Sequence, residues 1–171
     1  MHRETDPAVQ LRPATDRDAT AILACLAAAF EQYRHAYTPG AFADTVLDAA
    51  SLRRRMSTMT VLVAEDQGKI VGTIACAAHP PTGHLRGMAV LPGRQGTGIA
   101  AALLAAAEDH LRQSGCTRVT LDTTEPLQRA IGFYTRHGYA PTGRITDFFG
   151  MPLHEYEKAL ERVRVASGGA R

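Results

Sequence analysis

The residues with the clearest chemical potential lie between His84 and Arg112. There Pro92-Gly93-Arg94-Gln95-Gly96-Thr97-Gly98 separates an apolar run ending at Leu91 from Ala100, Leu103, Leu104, Ala107 and Leu111, which recur at helical spacing. The pattern predicts strand, turn and helix. A helix that opens out of glycines leaves its first N–H groups without intrahelical acceptors, with the positive end of the dipole behind them. Because Gly96 and Gly98 carry no Cβ, a phosphate or pyrophosphate can approach that backbone closely and accept several of those bonds. A glycine-rich turn that binds nothing fits the same residues about as well.

Other groups carry weaker signals. Asp122, Glu125, His79 and His84 can each take a proton, and each fits a surface or capping role equally. Cys76-x-x-His79 with His84 suggests zinc, but positions i and i+3 of a strand point to opposite faces and no fourth ligand is spaced to help, so no metal site is expected. No G-x-S-x-G elbow or cysteine motif marks a covalent nucleophile.

The elements that must position these residues follow from periodicity and punctuation. Val9 to Pro13 predicts a first strand, and Thr15 and Asp16 cap a helix with Ala19, Ile22, Leu23, Leu26 and Phe30 on one stripe. After Tyr33, His35 and Tyr37, Thr38-Pro39 offers a cap for a second helix over Gly40 to Arg55, whose Arg53-Arg54-Arg55 end could pair with an anion but is read as a solvated C-terminal cap. Thr60 to Glu65 and Lys69 to Ala77 flank Asp66-Gln67-Gly68 as a hairpin, and Pro80 to Gly83 turns the chain into the strand before the glycines. Beyond the central helix and its Ser114-Gly115 cap, Arg118 to Asp122 is a short strand. Pro126 then opens a helix in which Leu127, Ala130, Ile131 and Tyr134 share a stripe, turning Tyr134 toward the sheet. Tyr139 to Thr142 and Leu153 to Leu160 are the last strands, with Asp147-Phe148-Phe149-Gly150 in their connection. The order β α α β β β α β α β β predicts an α/β chain of the α+β type, a mixed sheet with helices on both faces.

Composition narrows the setting. A chain of 171 residues, 45% hydrophobic, can bury the core of one domain, expected over residues 9–162, with a disordered N-terminal tail over 1–8 and a C-terminal tail over 163–171. Its 19 basic and 17 acidic residues are interspersed, so no field points to nucleic acid or an acidic membrane. The longest apolar stretch, Ala19 to Phe30, is too short to span a bilayer. The three cysteines have no paired spacing and the N-terminus has no apolar leader, which fits a reducing cytoplasm.

Two segments resemble the GNAT superfamily of acyl-CoA-dependent N-acyltransferases. Its signature Q/R-x-x-G-x-G/A is similar to Gln95-Gly96-Thr97-Gly98-Ile99-Ala100, directly after Met88-Ala89-Val90-Leu91-Pro92. A second motif stands at Ala130-Ile131-Gly132-Phe133-Tyr134-Thr135-Arg136-His137-Gly138-Tyr139, and Tyr156 to Leu160 looks like the family's last strand. The resemblance covers Gln10 to Leu160 and implies a mostly antiparallel sheet of about seven strands, splayed between its fourth and fifth. It implies acetyl-CoA as co-substrate, its pantetheine arm bonded to backbone around Met88, Ala89 and Val90 and its pyrophosphate held by Gln95 to Ala100. It further implies acetyl transfer to a primary amine by direct attack, with Tyr134 as general acid for the departing thiolate. Leu127 stands where many relatives carry Asn, so backbone contacts carry over at that place and a side-chain contact does not. An acceptor pocket walled by Tyr33, Tyr37, Phe148 and Phe149 is expected, for a small-molecule or peptide amine. Oligomeric state is open, a homodimer being one option.

Two rival readings are weighed. One is an acyl-CoA-binding regulatory module without turnover, against which Tyr134 speaks. The other is a dinucleotide fingerprint at Gly96-x-Gly98-x-x-Ala101 with Asp122 as the ribose acid. It ranks lower, because Pro92 to Gln95 separate the glycines from their strand and too little chain follows Asp122 for a doubly wound sheet.

Overall fold

The computed structural model describes residues 9–161. Its strands are β1 (Gln10–Pro13), β2 (Thr60–Asp66), β3 (Lys69–His79), β4 (Thr82–Val90), β5 (Arg118–Thr124), β6 (Ala140–Phe148) and β7 (Met151–Ala159). Its helices are α1 (Ala19–Phe30), α2 (Pro39–Thr45), α3 (Ala49–Thr58), α4 (Ile99–Gln113) and α5 (Gln128–Arg136). The strands form one sheet in the order β1-β2-β3-β4-β5-β7-β6. Every neighbouring pair is antiparallel except β4 and β5, so the sheet is mixed and mostly antiparallel.

Alternation along the inner strands sorts the layers. Val61 and Val63 join Ala75 and Ala89 in a core with Ile22, Leu26 and Leu52 of α1 and α3. Leu62 and Ala64 join Ile74, Leu85 and Val90 in a second core with Leu103, Leu104 and Leu111 of α4. Strands covered on both faces read as unbroken apolar runs, which is why Val61 to Ala64 shows no polar alternation. The start of α4 lies close on β3 because Gly72 leaves room for it: a Cβ there would be 2.9 Å from Leu103 Cδ1 and 3.0 Å from Ile99 Cγ2.

Two expected elements differ. The second helix is broken into α2 and α3: Val46 leaves helical geometry at φ −95° and ψ 90°, and Asp48 starts α3 by accepting Ser51 N–H at 2.8 Å. An aspartate that can cap a fresh helix competes with the backbone it interrupts. The sixth strand runs to Phe148 instead of ending near Thr142, because Gly143 at φ +86° takes up an irregularity in the pairing between Pro141 and Ile145. The loop expected between the last strands thereby shrinks to Phe149-Gly150. The tails over 1–8 and 163–171 lie outside the described residues, and among those residues no helix is long and apolar enough to cross a membrane.

Candidate functional site

The sheet opens at its one parallel pair. β4 and β5 are in register from Thr82 opposite Arg118 to Leu85 opposite Leu121, and beyond that rung they no longer pair. The cause lies on the other edge of β4, where Thr73 pairs with Ala89 and Ala75 with Arg86, so that β4 carries one residue more than β3. Gly87, at φ +62°, absorbs the extra residue, and a bulge of this kind bends its strand. From Arg86 to Val90, β4 therefore has β3 on one side and no strand on the other.

A cleft of about 650 Å³ passes through this opening and joins the two faces of the sheet. At the α4 end it is lined by Gln95, Gly96, Gly98 and Ala100, and Met88, Ala89 and Val90 line its middle. Gly96 and Gly98 stand at φ +77° and +87°, and a Cβ at either would meet nothing within 4 Å. Among the described residues no acceptor is bonded to the N–H groups of Gly96, Thr97 or Gly98. These free donors, the dipole of α4 and the open space above the glycines fit an oxyanion such as a pyrophosphate. Gln95 braces the turn: its Nε2 donates to Val90 O at 3.3 Å, and its Oε1 accepts from Arg129 Nη1 at 3.0 Å. Thr97 and Ile99 are not in the lining. The Thr97 hydroxyl donates to Arg94 O at 2.5 Å, and Ile99 is buried in the core, so each has only backbone to offer.

Tyr134 lies where helical spacing places it, buried against Phe133 and Tyr139 in edge-on contacts, and it lines the cleft. Its hydroxyl has no hydrogen-bond partner among the described residues, and that oxygen is not among the fully enclosed orphan atoms. Burial raises its pKa, so the phenol keeps its proton throughout the neutral range.

Of the proton acceptors considered, His84 and Asp122 line the cleft, one residue before and one residue after the last paired rung on their strands, while His79 and Glu125 do not. His84 Nδ1 lies 2.8 Å from the Thr120 hydroxyl and its Nε2 3.6 Å from Asp122 Oδ2. Burial lowers the His84 pKa against the pull of Asp122, and burial raises that of Asp122. Glu125 instead faces His154 Nε2 at 3.4 Å.

On the α1 side the cleft is walled by Tyr33, Tyr37 and Phe148. Tyr37 is tied by its hydroxyl to Thr124 Oγ1 at 2.7 Å and meets Phe42 edge-on. Phe149 is not part of the wall. It occupies the tight turn at φ +49°, is 56% exposed, and packs over Gly40. Five arginines line the cleft: Arg55, which the sequence pattern assigns to a solvated cap, and Arg86, Arg94, Arg129 and Arg136, which sequence reasoning did not single out. For Arg129 and Arg136 a signal existed, since i and i+7 fall on one helix face.

The fold is one seen in solved N-acetyltransferase structures. The PaiA N-acetyltransferase of Thermoplasma acidophilum, crystallised with coenzyme A, superposes with a TM-score of 0.76 at 17% identity, covering 89% of this chain and 99% of that one. The YncA acetyltransferase structure from Salmonella typhimurium, with acetyl-CoA, gives 0.68 at 18% identity over 95% and 99%. The family model described as "Acetyltransferase (GNAT) family" matches residues 22–139, and the chain belongs to that family. Among curated relatives, the N-alpha-acetyltransferase MAK3 of Arabidopsis thaliana is 32% identical over 109 residues, which is 60% of this chain and 57% of that protein. The N-acetyltransferase YhfO of Bacillus subtilis is 29% identical over 139 residues, covering 77% of this chain and 89% of its own.

Proposed function

We propose that a single domain over residues 9–162 transfers an acetyl group from acetyl-CoA to a primary amine. The observation that carries this reading is the split between β4 and β5, with a free strand edge on one side and the unpartnered Tyr134 hydroxyl in the same cleft. Backbone of Met88, Ala89 and Val90 would hold the pantetheine arm as an added strand, and Gln95 to Ala100 the pyrophosphate, through N–H groups that lack acceptors. Acetyl-CoA supplies an activated thioester carbonyl. The chain's own residues hold and move protons: the His84–Asp122 pair accepts one from the incoming amine, and Tyr134 donates one to the departing sulfur. Direct attack fits because Cys25, Cys76 and Cys116 are all buried in the protein and none lines the cleft. Tyr33, Tyr37 and Phe148 pack the acceptor's apolar part.

The test is purified protein with acetyl-CoA against an amine panel, with release of free thiol as the readout. Acetyl-CoA is also expected to raise the melting temperature, since a ligand selective for the native state stabilises it, and NAD is not. A shift with NAD alone would restore the dinucleotide reading. A shift with acetyl-CoA but no thiol release with any amine would favour the regulatory module.

A further inference from the structure

The run Arg53-Arg54-Arg55 reads in sequence as one solvated cap, but the fold separates its members. Arg53 and Arg54 are exposed, and Arg54 donates to the Ser51 hydroxyl at 2.9 Å on the helix surface. Arg55 turns inward and lines the cleft. Its guanidinium occupies the space that a side chain at Gly87 would need, since a Cβ built there would lie 2.5 Å from Arg55 Nη1. Gly87 is the bulge residue of β4, so this cation is seated where the strand bends away from β5.

Among the described residues Arg55 makes no side-chain hydrogen bond or ion pair, while the neighbouring Arg86 is engaged with Asp44 at 2.6 Å. Burial draws the Arg55 pKa down to about 10, aided by the like charge of Arg86 and opposed by Asp44. It remains cationic at neutral pH. A guanidinium half withdrawn from water without a counter-ion is unfavourable, so the position is one that a bound anion completes.

Two features say which anion. Arg55 belongs to α3, on the sheet face opposite α4, so it is remote from the glycine turn proposed for the pyrophosphate and belongs to the acceptor end. The two guanidinium groups and the one carboxylate of Arg55, Arg86 and Asp44 leave a single positive charge, which a carboxylate neutralises and a phosphate dianion would overshoot.

We infer that Arg55 anchors the carboxylate of the acceptor, so that the acceptors are small amino-carboxylates such as free amino acids rather than polyamines or amines without a carboxylate. The inference rests on the acetyltransferase reading above. With the carboxylate on Arg55, an apolar side chain can lie on Tyr33, Tyr37 and Phe148 while the amine reaches the His84–Asp122 pair.

The experiment compares acceptors that differ only in the carboxylate, phenylalanine with phenethylamine and leucine with isoamylamine, with spermidine as a cationic control. The wild-type protein is expected to favour the amino acid in kcat/KM by roughly 10- to 100-fold, the contribution of a charge-assisted pair. Arg55→Gln should collapse that ratio, chiefly through the KM of the amino acid, and Arg55→Lys should keep part of it. The melting shift with acetyl-CoA checks that each variant is folded. Equal or better turnover of the decarboxylated amines or spermidine by wild type, or an unchanged ratio in Arg55→Gln, overturns the inference and leaves the acetyltransferase reading standing. If no amine turns over, that reading itself fails, and calorimetry with N-acetylphenylalanine against N-acetylphenethylamine in the presence of coenzyme A decides the anchor. Binding that depends on both carboxylate and Arg55 supports it, and binding indifferent to either overturns it.

Discussion

Tyr134 combines a buried ring with a hydroxyl that has no partner among the described residues, and these two properties separate packing from chemistry. Tyr134→Phe keeps the ring contacts and removes the proton. Binding of acetyl-CoA should survive in that variant while kcat falls about 10²-fold; wild-type turnover with an intact fold would leave Tyr134 a packing residue. His84 makes a prediction about pH. Burial lowers its pKa, so the base-competent form is present at neutral pH and is lost as pH falls through the lowered value. The kcat/KM profile should thus be flat near neutrality with an acid limb below the ordinary histidine value of about 6.5, and His84→Asn should remove that limb. A limb unchanged in His84→Asn would assign it to another group.

At the scale of elements, the glycine turn and α4 act as one unit. Gly98 is the N-cap of α4 in left-handed geometry, so a β-branched residue there is strained and also projects over the N–H groups. Gly98→Val should abolish the acetyl-CoA melting shift, and a retained shift would move the pyrophosphate elsewhere. Much of this unit is legible in the residues, because helix periodicity and glycine punctuation are local signals. The break between α2 and α3 was less legible. Its cause is Asp48 winning the competition for Ser51 N–H inside an otherwise continuous helical pattern.

At the scale of the molecule, α4 is tied to the sheet by a pair between residues distant in sequence. Lys158 of β7 donates to both carboxylate oxygens of Glu108 on α4, at 2.7 and 2.9 Å, and the Glu108 side chain is only 5% exposed. Lys158→Met would strand that carboxylate, at a cost of about 3 kcal/mol, the low end for a buried pair because Lys158 itself is partly exposed. Chemical denaturation should register the loss, and Glu108→Gln combined with Lys158→Met should recover part of it. No change in Lys158→Met would mean that the pair is solvated.

What the sequence by itself determined is local. The strand-turn-helix at Val90 to Leu111, the stripe that turns Tyr134 inward and the hairpin at Asp66 to Gly68 follow from spacing and backbone chemistry within a few turns of chain. The resemblance of Gln95 to Ala100 and of Ala130 to Tyr139 extended that to family and fold. What only the tertiary structure decided is which distant residues meet. The divergence of β4 from β5 depends on a bulge measured against β3, the cleft draws on both faces of the sheet, and Phe149 leaves the wall because a bulged β6 absorbs its loop. Arg55 is the clearest case. Its type and place in an arginine run are ordinary, and only the vacant space over Gly87, 32 positions along the chain, turns a surface cation into a half-buried one that lines the cleft. Periodicity carries no record of such a meeting, because it depends on the register of a strand that the helix never touches in sequence.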